Sequence, residues 1–231
     1  MKKLSILILG LFLLGFTTAC DDDDNIIDLI DPSFLRVVHL SPDAPPVDVE
    51  VDNETVLEDV SYTDSSPYLE VPALLNVKVN AAGTDTTVID QDLVLIPDDE
   101  QTVIAANFLA DIEALLLFDD NTPPTNGNVK VRAVHGAPSA PNVDIYVTSP
   151  DADIEETDPT LTNIPFLGVS DYLEVPAADY RVRVTPTGTK TVVIDSGAIS
   201  LFAGEIRTII ARNAPGDEGE PFGFLILEDL N

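Results

Sequence analysis

His39 and His135 are the only histidines of the 231-residue chain, and each ends an apolar run just before a proline loop. An imidazole placed so has two possible uses. It can act as a metal ligand or general base, or it can hydrogen-bond the loop beside it. A metal site needs several ligands, and no cysteine, second histidine or fixed carboxylate spacing lies near either position. The loop-binding use is therefore expected, because buried ring nitrogens find local partners. Asp48 and Asp144 each interrupt a valine-rich run, and Arg36 and Arg132 stand in the run before. A cross-strand Arg–Asp pair at each place would help fix register. Catalysis by either aspartate would need a second titrating group of matched pKa. Asp151, Asp153 and Glu155 alternate as oxygen ligands of Ca2+ could. No glycine provides the sharp turn of such a loop, so a solvated acidic loop is the stronger reading. Asp98-Asp99-Glu100, Asp119-Asp120 and Asp217-Glu218-Gly219-Glu220 are weaker candidates for the same ion. There is no G-x-S-x-G, no cysteine besides Cys20 and no phosphate-cradling glycine loop. No catalytic residue and no cofactor are assigned, Ca2+ being the one ion the acids suggest.

The elements that must hold these residues come in pairs. Residues 35–51 (LRVVHLSPDAPPVDVEV) recur as residues 131–147 (VRAVHGAPSAPNVDIYV). Tyr68 to Ala73 (YLEVPA) returns unchanged as Tyr172 to Ala177, and TVIAAN at 102–107 returns as TIIARN at 208–213. Alternation of period two dominates, as a half-buried strand requires. Leu75, Val77, Val79 and Ala81 share one face; Val47, Val49 and Val51 share another. Val182 and Val184 point inward, with Arg181 and Arg183 outward. Ala110 to Leu117 and Phe222 to Leu227 read as final strands. Asp52-Asn53, Ala82-Gly83, Pro97-Asp98, Thr187-Gly188 and Ala203-Gly204 mark turns. About seven short strands per copy predict an all-β chain of two tandem, antiparallel, immunoglobulin-like β-sandwiches. They span residues 34–120 and 129–231, with residues 121–128 as linker. Thr148 to Asp158 is an acidic surface insertion in the second.

Composition narrows the partners. Eleven Lys and Arg face 41 Asp and Glu, a formal charge of −30. Nucleic acid is excluded as a partner, since it needs a basic footprint. Residues 33–125 carry 19 acids and 2 bases, against 16 and 7 in residues 126–231. A hydrophobic fraction of 45% in patterned runs argues for folded domains. With Cys20 alone, no disulfide is available, and the cores must hold by burial.

Residues 1–19 have a positive start at Lys2 and Lys3 and an apolar run from Leu4 to Phe16, as a secretory signal peptide has. The run ends in Phe16-Thr17-Thr18-Ala19-Cys20, which resembles the lipobox of bacterial lipoproteins, although Thr17 departs from the usual leucine. The resemblance implies a diacylglycerol on the Cys20 sulfur. Loss of residues 1–19 removes two bases and no acid, so nine bases against 41 acids leave −32. Residues 20–33 then form an acidic tether, Asp21 to Asp24 leading it. Ile26, Ile27, Leu29 and Ile30 offer a second possibility, docking on the first domain. The signature from Val37 to Val51 (VHLSPDAPPVDVEV from Val38), followed by Tyr68 to Ala73, resembles the DUF4397 family of bacterial secreted and surface proteins. Asp43 has no acidic counterpart at Ser139. The expected function is a non-catalytic binding or adhesion module of the bacterial cell envelope. It is held to a membrane by its N-terminal lipid, with the outer membrane or cell surface favoured and inner-membrane retention open. The expected ligand is a protein or a polysaccharide. A Ca2+-stabilised envelope spacer is the alternative.

Overall fold

The computed structural model describes residues 31–216 and 221–229. The signal peptide, Cys20 and the acidic run at 21–24 lie outside the described residues, as do Asp217 to Glu220. The first half of the chain forms β1 (Pro32–Leu40), β2 (Val47–Val51), β3 (Glu54–Val60), β4 (Leu69–Pro72), β5 (Leu74–Ala81), β6 (Thr87–Val94), β7 (Glu100–Ala106) and β8 (Glu113–Phe118). The second half forms β9 (Asn128–His135), β10 (Val143–Thr148), β11 (Leu161–Ile164), β12 (Leu173–Pro176), β13 (Ala178–Pro186), β14 (Ile194–Leu201), β15 (Ile206–Arg212) and β16 (Gly223–Glu228).

Four sheets pair into two sandwiches. The first packs β4-β1-β7-β8 on β3-β2-β5-β6; the second packs β12-β9-β15-β16 on β11-β10-β13-β14. Each half thus has eight strands, one more than the spacing of turn signals suggests, because the short β4 and β12 flank β1 and β9. One pair in each half is parallel, β1 with β7 and β9 with β15, against the all-antiparallel expectation. A parallel pair needs a long crossover, and here the whole opposite sheet lies between its two strands. The turns form where glycine, Asn and Asp accept a left-handed backbone. Asp52 and Asn53 both have positive φ, 51° and 67°, as a two-residue hairpin of right-handed twist requires. The final strand of the first half begins at Glu113, because residues 109–111 close a 3-10 turn instead.

Alternation explains the cores. Leu35 and Val37 of β1 join Val47, Val49, Val77 and Val79 between the first two sheets. Ile209 and Ala211 of β15 join Val143, Ile145, Val182 and Val184 in the second sandwich. The other face of β1 is also buried. Val38, Leu40, Ile104 and Ala106 pack against Val134, Ile210 and Leu227 of the second sandwich. A third core therefore joins the two sandwiches, and the layer order is sheet, inner sheet, inner sheet, sheet. Arg183 is buried rather than outward, because the 148–158 insertion folds over it: its Nη2 donates to Thr148 Oγ1 and to the Ala152 carbonyl, both at 2.9 Å.

Candidate functional site

Both histidines are buried at the end of their strands and hold the loop that follows. His39 Nε2 lies 3.1 Å from the Pro45 carbonyl, and Ser41 N–H donates to Nδ1 at 3.3 Å. His135 repeats this with the Pro141 carbonyl at 3.0 Å and Ala137 N–H at 3.4 Å. Tyr62 and Phe166 close the rings edge-on. Burial lowers the pKa of both imidazoles, against a raising contribution from the proline carbonyl. With each ring nitrogen so occupied, both imidazoles are neutral supports rather than a base facing solvent.

Asp48 and Asp144 do equivalent work elsewhere. Asp48 accepts from Asp59 N–H at 2.9 Å and Gly83 N–H at 3.0 Å; Asp144 accepts from Asn163 N–H at 2.8 Å and Gly188 N–H at 2.9 Å. All four donors have positive φ, so each carboxylate ties two tight turns together. The two N–H donors hold the Asp48 carboxyl below the ordinary carboxylate value. At Asp144 burial works the other way, yet the bonds from Gly188 and Asn163 prevail and the pKa is again lowered. The expected pairs Arg36–Asp48 and Arg132–Asp144 do not form. With Leu35 and Val37 inward, Arg36 leaves the outer face of one sheet; with Val47 and Val49 inward, Asp48 leaves the outer face of the other. The core stands between them.

Arg36 and Arg132 instead cross to the opposite sandwich. Arg36 Nη2 meets Asp229 Oδ1 at 2.6 Å and its Nη1 donates to the Glu228 carbonyl at 3.1 Å. Arg132 Nη2 meets Asp119 Oδ1 at 2.5 Å and its Nη1 donates to the Phe118 carbonyl at 2.9 Å. Thr102 and Thr208 each receive the Nε–H of their own arginine and donate to Asp119 and Asp229, at 2.5 and 2.6 Å. Tyr68 and Tyr172 donate to the same two carboxylates, at 2.8 and 3.2 Å, and lie under the guanidinium groups. The exchange is reciprocal, which is the mark of an isologous interface. Every charged member of this seam is buried. It is a fastening, with no open position for a substrate.

The remaining acidic candidates stay apart. Asp153 accepts from Glu155 N–H at 3.0 Å and caps a short 3-10 turn, while Asp151 and Glu155 stand exposed. Among the described residues no three His, Cys, Asp or Glu side chains converge as metal ligands. The cavities enclosed within the sandwiches measure about 20 and 10 Å³, room for a water molecule at most. A ligand of any size must bind outside.

Outside, two grooves lie along the end of β8, and another of about 320 Å³ lies beside Asp179, Ser200 and Phe202. A groove of about 600 Å³ is lined by Asp99, Glu100, Phe118, Asp120, Asn121 and Thr122. A second, of about 370 Å³, lies between β8 and the chain entering β12, beside Phe118, Val169, Ser170, Asp171 and Tyr172. Phe118 borders both and is 56% exposed. Asn121 Oδ1 has no hydrogen-bond partner among the described residues. Lys130 pairs with Asp120 at 2.8 Å and, with Thr122, brings its pKa down to about 2. An aromatic face beside carboxylate, amide and hydroxyl groups can hold a ligand with an apolar side and hydroxyl edges. Sequence reasoning missed Phe118. The signal was in the repeat: Leu117-Phe118-Asp119 answers Leu227-Glu228-Asp229, an aromatic against a charge.

Residues 33–146 match the model of the family described as a domain of unknown function, DUF4397. The match runs from β1 into β10, through the whole first sandwich, and the resemblance carried by the Val37 to Val51 motif is thereby shown for that stretch. No curated protein matches the chain. Among solved structures, the chain is similar to one described as alpha-glucan recognition by family 41 carbohydrate-binding modules from streptococcal virulence factors. The TM-score is 0.27 at 14% identity, over 83% of this chain and 96% of that one. It is similar also to CBMbc, a family CBM26 module of Eubacterium rectale Amy13K in complex with maltoheptaose. There the TM-score is 0.28 at 9% identity, over 86% and 98%. At scores of this size no residue of theirs is carried over to this chain.

Proposed function

We propose that this chain is a non-catalytic binding module of the bacterial cell envelope, lipid-anchored through Cys20, whose ligand is a neutral polysaccharide held at Phe118. One observation carries the reading: an aromatic ring stands exposed between two grooves of mixed polar and apolar lining, at a position where the second sandwich has a paired glutamate. Aromatic faces suit apolar ring faces, and carboxylates accept strong bonds from hydroxyls. A formal charge of −30 repels polyanions. A protein ligand would want a larger desolvated apolar centre than one ring provides. Affinity electrophoresis of the mature chain through gels containing neutral polysaccharides tests this. Retardation should vanish in Phe118→Ala and persist in Phe202→Ala, which removes an exposed aromatic elsewhere. A wild-type chain that no neutral polysaccharide retards sinks the reading. Fatty-acid labelling lost in Cys20→Ala tests the anchor, and protease shaving of intact against lysed cells tests which side of the envelope it faces.

A spacer role has its own support in the buried seam, which makes one stiff body of two sandwiches. Stabilisation by Ca2+ finds no convergent ligands among the described residues. Millimolar Ca2+ should raise Tm no more than Na+ of equal ionic strength; a specific rise would favour the spacer reading.

A further inference from the structure

Leu74, Val94 and Ile96 are 49%, 66% and 45% exposed on the outer face of the sheet that holds β5 and β6. Leu74 is paired directly with Val94, and Ile96 follows Val94 on the same side. The equivalent place in the second sandwich is fixed by register. Leu95 bonds Ala73 as Leu201 pairs with Ala178, so Leu74 and Val94 answer to Asp179 and Ser200. There the two side chains are polar and bonded to each other at 2.6 Å. Ile96 answers to Phe202, itself 64% exposed, so the apolar character that the fold does not require is that of Leu74 and Val94.

The chain enters both sandwiches at this corner. Asp98 N–H donates to the Pro32 carbonyl as Gly204 N–H donates to the Asn128 carbonyl, both at 2.9 Å. Ser33 Oγ donates to the Ile96 carbonyl at 2.7 Å, and Pro32 lies opposite Pro72. What precedes the corner differs in the same sense as the face beside it. Thr122-Pro-Pro-Thr-Asn126 leads to the face of Asp179, Ser200 and Phe202, and Ile26-Ile-Asp-Leu-Ile30 leads to that of Leu74, Val94 and Ile96.

We infer that Ile26–Ile30 docks on the patch of Leu74, Val94 and Ile96. The occupant is named by its place as well as its chemistry. It ends one residue before the described chain begins, and its sequence carries four aliphatic residues where the corresponding stretch of the second half, Thr122 to Asn126, carries none. Docking leaves five residues, Asp21 to Asn25, between Cys20 and the sandwich. At about 3.3–3.6 Å per residue their full reach is under about 20 Å. The tether is a short leash, and the Leu74 corner of the first sandwich is the end nearest its attachment point.

Amide hydrogen exchange in the full mature chain tests this. Residues 26–31 should exchange at least about tenfold more slowly than in an isolated peptide of the same sequence. The double change Leu74→Asp, Val94→Ser, which installs the pair the second sandwich already carries, should return them to the peptide rate while β7 stays protected. Peptide-like exchange in the wild type overturns the inference, as does protection that survives the double change. Exchange that is free while the wild type sediments as a dimer and the double variant as a monomer also overturns it, assigning the patch to self-association. A second readout uses Leu29→Cys with Val94→Cys in a Cys20→Ser chain. A disulfide should form under mild oxidation, and should not form between Leu29→Cys and Val192→Cys.

Discussion

Asp119 and Asp229 close the two halves of the chain in the same way, yet the residues before them differ in use. Phe118 stands in solvent between two grooves, whereas Glu228 is paired with Arg207 at 2.7 Å. At the other end of β1, Leu40 packs in the seam where its counterpart is Gly136. A side chain at Gly136 would run into Leu40 and come within 2.9 Å of Ile210 Cγ2. The two halves keep one plan of strands, histidine loops and aspartate-tied turns. They diverge at positions that face something other than their own core. The comparison teaches where to look for function in a repeated fold: at the positions whose surroundings the repeat does not reproduce.

The largest expected effect tests the equivalence of the two fastenings. Asp119→Ala takes from buried Arg132 its carboxylate, and Asp229→Ala leaves buried Arg36 only Asp119 at 3.6 Å, changes of the kind that cost about 3–5 kcal/mol. The two costs, measured by urea unfolding, should agree within about 1 kcal/mol. Each variant should unfold in one transition; two transitions would show the sandwiches to be independent. Leu40→Ala comes next, at about 2–5 kcal/mol for a cavity in the shared core. Gly136→Leu should cost about 1–3 kcal/mol by overpacking. Combined with Leu40→Gly it should cost less than the sum of the two single changes, because the hole and the knob trade places.

The smallest effect is a pH slope. Burial depresses both imidazole pKa values in the folded chain. The unfolded chain therefore binds protons first as pH falls below about 6.5. The stability owed to neutral His39 and His135 is complete above that value and is lost as pH drops toward the folded pKa. His39→Asn with His135→Asn should flatten the dependence of Tm between about pH 6.5 and 5 relative to wild type. Equal slopes would show that the loops do not depend on neutral rings.

Much of the fold was legible because alternation is a local signal. Val47, Val49 and Val51 announce a face, and Asp52-Asn53 announces the hairpin that follows. The seam was not, since its pairs join residues 193 positions apart, as Arg36 and Asp229 do. Alternation says which side chains leave the other face of β1 but not what they meet. A trace was present nonetheless: Val37 and Val38 are adjacent and both apolar, which marks a strand buried on both sides. Arg183 misled for a related reason, as the strand period placed it outward while a loop inserted elsewhere in sequence covered it. Phe118 required comparing the halves position by position, since a lone phenylalanine at a strand end is ordinary.

Leu40 and Gly136 hold equivalent places and touch each other, so they lie on the axis that relates the two halves. Two identical subunits could never divide that spot unequally: a pair of leucines would collide, and a pair of glycines would leave a hole. At that spot the two halves are complementary rather than interchangeable. Neither half takes its sibling's place without cost, since two identical halves would carry either the strain of paired leucines or the cavity of paired glycines.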